Sequence, residues 1–224
     1  MKNLYACFIV AGIMSAAAQA VEITPQPWQL RRAEYAKTLQ GVARHDPGSL
    51  KTFDDILTEF DAGKMNRTPL ENMEILGTYY VPREGAEKNL PVIVMMAMLG
   101  WYDTLRFASE SGKAEISRSL FKMPLALAGP AATAQAVKLF NENPAQTERL
   151  VAQGICFAAK LRHKVNYDQQ WPTAFGLEHV ICAQGGACDK IPPLPESEWD
   201  AAWAEAGKRV RAYYRGNADN QLIK

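Results

Sequence analysis

Histidine is scarce in this chain: three in 224 residues, His45, His163 and His179. No two stand three or four apart and H-E-x-x-H is missing, which excludes the usual helical zinc-hydrolase pattern. Four cysteines occur, with no C-x-x-C spacing, so neither a thioredoxin-type redox pair nor a zinc clip is encoded. G-x-S-x-G is absent, as are the glycine-rich phosphate cradles of nucleotide enzymes. An excess of one charge is missing too, with 25 Lys and Arg against 24 Asp and Glu. Without residues 1–20, whose one charged side chain is Lys2, the chain is neutral. That balance gives no broad attraction to nucleic acid or to an anionic membrane. Beyond residue 20 no uninterrupted apolar run reaches membrane-spanning length. LPVIVMMAMLGWY (90–102) comes closest, and Asp103 and Arg106 end it, so it reads as a buried helix without stable membrane insertion.

The N-terminus has the pattern of an export signal. Lys2 precedes LYACFIVAGIM, an apolar stretch too short to span a bilayer, and Ala18-Gln19-Ala20 is a small-x-small cleavage site. We expect cleavage after Ala20, a periplasmic location, and one mature domain over 21–224. Lipidation at Cys7 is not expected, because almost no hydrophobic region precedes it.

Export decides how the cysteines are read. In CAQGGAC (182–188) two cysteines flank a glycine-rich loop, and an oxidising compartment joins such a pair. We expect a Cys182–Cys188 disulfide; closing so short a loop contributes about 2 kcal/mol in the chain-entropy model. Cys156, within GICFAAK, is expected to be a free, buried and inert thiol.

Periodicity and punctuation predict an all-α fold. Pro27 precedes a helical pattern through Trp28, Tyr35, Leu39 and Val42; Ser49 is a candidate cap for SLKTFDDILTEF. Thr68-Pro69-Leu70-Glu71 is the clearest start, with a capping hydroxyl, proline at the first helical position and a glutamate three residues after the cap. That helix is expected to stop before Pro82, and REGAEKN to form a loop. The core helix is expected from Pro91 to Ser109, with a break at 110–112 and a short segment after it. Pro130 and Asn143-Pro144 open two further helices, the second with a stripe of Leu150, Val151, Gly154, Phe157, Ala158 and Leu161. WPTAFGLEHVICAQ reads as one shorter helix. SEWDAAWAEAGKRVRAYYR is amphipathic, with Trp199, Trp203, Ala206, Val210 and Tyr213 on one face.

No catalytic or metal-ligating set emerges, and no cofactor is implied. Glu178 and His179 are adjacent, so on a helix they point about 100° apart. Met95, Met96 and Met98 sit in an aliphatic run, where methionine fills gaps rather than holding copper. Ser109, Glu110, Ser111 and Glu115 form a polar segment without an assigned base, suited to a loop or a recognition surface.

Three stretches, LGWYDTLRFASESGKAEI (99–116), WPTAFGLEHVICAQGGAC (171–188) and WDAAWAEAGKRVRAYYR (199–215), together resemble periplasmic immunity proteins paired with type VI secretion lipase effectors. The resemblance covers about the C-terminal half of the mature chain. It implies a non-catalytic protein whose partner is a secreted lipase or phospholipase toxin, with no binding position assigned. Two other classes stay open: a periplasmic small-ligand or envelope-stress binding protein, and a helical cell-envelope hydrolase.

Overall fold

A computed structural model describes residues 24–184 and 192–216. The export signal and Cys188 lie outside the described residues. Every regular element among the described residues is helical, and none is a strand. They are α1 (Pro27–Ala43), α2 (Pro47–Asp61), α3 (Pro69–Ile75), α4 (Val81–Glu84), α5 (Ala86–Phe107), α6 (Glu110–Ala128), α7 (Pro130–Glu142), α8 (Pro144–Leu161), α9 (Leu177–Ala183) and α10 (Trp199–Gly216).

Five α-helices start with proline at the first position, where its missing N–H costs nothing: α1, α2, α3, α7 and α8. The capping box before α3 is formed. Thr68 Oγ1 accepts from the Glu71 N–H at 3.3 Å, and Glu71 Oε2 accepts from the Thr68 N–H at 2.7 Å. Other boundaries differ from expectation. Asp46, not Ser49, caps α2, its carboxylate accepting from the Ser49 N–H at 2.7 Å. Asn143 makes no side-chain cap.

Pro82 does not end its helix. Leu76–Tyr80 forms a π turn and the chain continues helically through Val81–Glu84, stopping at Gly85 with φ +88°. The wider i→i+5 turn opens the helix just before a ring that needs room and has no N–H to donate. The expected loop REGAEKN therefore supplies the last turn of α4 and the first of α5, and Pro91 lies inside α5 rather than at its start. The break between α5 and α6 falls at Ala108 and Ser109 rather than at 110–112, which are the first turn of α6; the Ser109 hydroxyl accepts from the Gly112 N–H at 3.1 Å, and α6 runs a full 19 residues. The expected single helix over 171–184 is two pieces, a 3-10 turn Trp171–Ala174 and α9. Gly176 separates them at φ +99°.

α5 is the central element, with α3, α6, α7, α8 and α10 packed around it. By length and composition it could cross a bilayer, but 89% of its most apolar 18-residue window is buried inside the protein, so it is the core helix. Met96 and Met98 are buried in that core and Met95 is packed against it, as gap-filling predicts. α8 crosses α5 at backbone contact: a Cβ on Gly154 would lie 2.5 Å from the Pro91 carbonyl oxygen and 2.6 Å from Val94 Cβ. Ala206 and Val210 of α10 are fully buried, with Trp199, Trp203 and Tyr213 partly buried beside them. α1 pairs with α2, and Tyr35, Ile56, Leu57 and Ile75 form a smaller second core.

Cys156 corrects an expectation. It is a free thiol but exposed, on the outward side of α8. The stripe that faces α5 is Val151, Gly154 and Ala158, and Cys156 falls between its members.

Candidate functional site

The serines and glutamates of the 108–117 segment meet the Glu178 region in space. Ser109, at the N-cap of α6, donates to Glu178 Oε2 at 2.7 Å, and Ser111 donates to the same oxygen at 2.5 Å. The Ser111 hydroxyl also accepts from the Leu177 N–H at 2.9 Å, and Glu115 Oε2 accepts from the Gly176 N–H at 3.1 Å. Glu110 turns away to Lys113 at 2.5 Å. Only glycine fits between these groups, because a Cβ on Gly176 would lie 2.6 Å from Ser109 Oγ and 2.7 Å from both the Gly112 N and Ser111 Oγ. Donation from Ser111 and Ser109 holds the Glu178 carboxyl below its ordinary range.

The chemistry of this cluster is positional. A carboxylate with a lowered pKa is a poor base, and the serine protons are already committed to it. His179 takes no part in these hydrogen bonds. The cluster clamps α9 onto the start of α6, the helix it contacts most among the described residues.

What the clamp presents is apolar. α9 buries none of its residues, and Leu177, Val180 and Ile181 are 60%, 47% and 43% exposed. Their i, i+3, i+4 spacing puts them on one face. Half of the large hydrophobic side chains exposed among the described residues therefore sit on this seven-residue helix, the others being Leu30, Leu50 and Leu127. Cys182 belongs to the same helix and is not a free thiol. Its expected partner, Cys188, lies outside the described residues.

A second polar group, missed in the sequence except as the end of an apolar run, is buried. Asp103 and Arg106 form an ion pair at 2.6 Å, each side chain 2% exposed. Trp171 donates to Asp103 at 3.0 Å, and Arg106 donates to Gln169 at 3.0 Å. The guanidinium packs over Tyr102 at 3.7 Å and Trp199 at 4.5 Å. The Arg106 carbonyl accepts from the Leu194 N–H at 2.9 Å. Burial pushes Asp103 up to about 6, against the pull of Arg106. Burial first and Asp103 second push the adjacent Tyr167 phenol well above its usual value. This network ties the segment before α10 and the Trp171 turn to α5. It is sealed from solvent and is structural. The D-x-x-R spacing was its only signal in the sequence.

His45 and His163 are exposed and His179 is half-buried. No group of three His, Cys, Asp or Glu suited to a metal ion occurs among the described residues. Comparison with family models, curated proteins and solved structures finds no match to this chain.

Proposed function

We propose that the chain acts in the periplasm as an immunity-type inhibitor, binding a lipase or phospholipase toxin of the type VI secretion class through α9. The observation that carries this reading is the concentration of exposed aliphatic side chains on a helix whose polar side is fastened by Glu178, Ser109 and Ser111. A ridge held in place before binding loses little conformational freedom on docking. The export pattern and the resemblance of residues 99–116, 171–188 and 199–215 support the choice of partner. Protection inside a cell calls for a dissociation constant of about a nanomolar, or about 12 kcal/mol, concentrated in a few buried anchors within a polar rim. Leu177 and Ile181 are placed to be such anchors.

The test expresses the full chain, with its export signal, beside the product of a neighbouring lipase-like gene directed to the periplasm. Export-dependent rescue, coelution and loss of lipase activity at equimolar ratio are expected. The L177D/I181D double variant, changed only at exposed positions, should keep its helical circular dichroism and bind at least a hundredfold more weakly. A neighbouring product that is not toxic, or a wild-type chain that forms no complex, rejects the reading. Full protection by the double variant rejects α9 as the surface.

A further inference from the structure

A groove of about 380 Å³ lies between the start of α8 and the end of α10, built from elements other than α9. Its walls are apolar where Phe140, Val151 and Ala152 line it, and its cations come from α10. Arg215 pairs with Glu148 of α8. Arg211 is exposed and has no ion pair among the described residues, so one positive charge at the groove is left over.

Tyr214 closes the inner wall. It is 3% exposed, and with Phe140 it separates the groove from an apolar void of about 10 Å³ lined by Leu90, Ile93 and Leu139.

A leftover guanidinium beside aliphatic walls selects one chemistry. We propose that this groove binds an aliphatic carboxylate of medium chain length, its head on Arg211 and its tail along Val151 and Ala152 towards Phe140. A cationic amphiphile meets repulsion from Arg211, and an alcohol forgoes the charge-assisted bond. The volume is near the lower end for small-molecule sites, which fits a chain of about ten carbons. This site goes beyond the inhibitor reading and does not depend on it.

Isothermal titration of the whole protein with decanoate, decanol and decylamine, each kept below its micellar concentration, is the test. Saturable one-to-one binding of decanoate is expected, with decylamine and decanol at least tenfold weaker. R211Q should weaken decanoate at least tenfold. A152W, at an exposed helical position, should fill the groove and abolish saturable binding while circular dichroism stays unchanged. Equal affinity for carboxylate and amine, indifference to both substitutions, or no saturable binding of decanoate overturns the proposal.

Discussion

Asp103 and Arg106 show how much one buried pair can decide. The carboxylate loses its water and is compensated by Arg106 and Trp171, and the balance leaves its pKa at about 6 instead of 3.8. The folded protein then holds this proton more tightly than the unfolded chain does. The stability the group contributes is complete below pH 3.8 and is lost as the pH rises through 6. D103N keeps a carbonyl acceptor and cannot titrate. We predict that the unfolding free energy of wild type minus that of D103N falls between pH 4 and pH 7, by up to about 3 kcal/mol. Urea unfolding of both proteins at several pH values measures it, and a difference that rises with pH would contradict the assignment. The sequence showed Asp103 and Arg106 as two charges closing an apolar run. It could not show Trp171 and Gln169, more than sixty positions away, turning to meet them.

At the scale of elements, boundaries followed local chemistry where both partners lay within a few residues. Thr68, Pro69 and Glu71 specify the start of α3 and the structure has it there. Pro82 and the 110–112 stretch were misread because each has a compensation that composition does not reveal, a π turn before the proline and a cap at Ser109. The α5–α8 crossing depends on Gly154 having no side chain. Alanine there drives a methyl into the Pro91 carbonyl and Val94, so the helices must separate or tilt. We expect G154A to destabilise by about 1–3 kcal/mol despite alanine's better helix propensity, read as a lowered midpoint in thermal or urea unfolding. A stabilised variant would mean that the crossing is looser than the structure has it. The α9 clamp was half legible: Ser109, Ser111, Glu115 and Glu178 were singled out as separate polar groups. Their convergence needed α6 and α9 to be docked.

For the whole molecule, compartment and cysteine state are linked. Residues 21–224 hold Cys156, Cys182 and Cys188, and Cys156 is exposed and free. The native, unreduced protein should therefore react with a maleimide once, at Cys156. Two further thiols, Cys182 and Cys188, should label only after reduction, with peptide mapping to locate them. Rapid native labelling of Cys182 would dismiss the staple. The all-α class, the central apolar helix and the amphipathic last helix were all readable from the sequence. Each rests on periodicity and capping within about twenty consecutive residues, and such short-range rules act before any tertiary contact forms. The stripe read from the sequence holds the face of α8 that turned inward, Val151, Gly154 and Ala158; only the tertiary structure decided that Cys156 would stay uncovered and that Asp103 would be buried with Trp171. It alone left the apolar side of α9 uncovered and set Arg211 and Tyr214 against α8. Those outcomes depend on where distant helices stop one another, and packing among segments far apart in the chain leaves no local pattern to read.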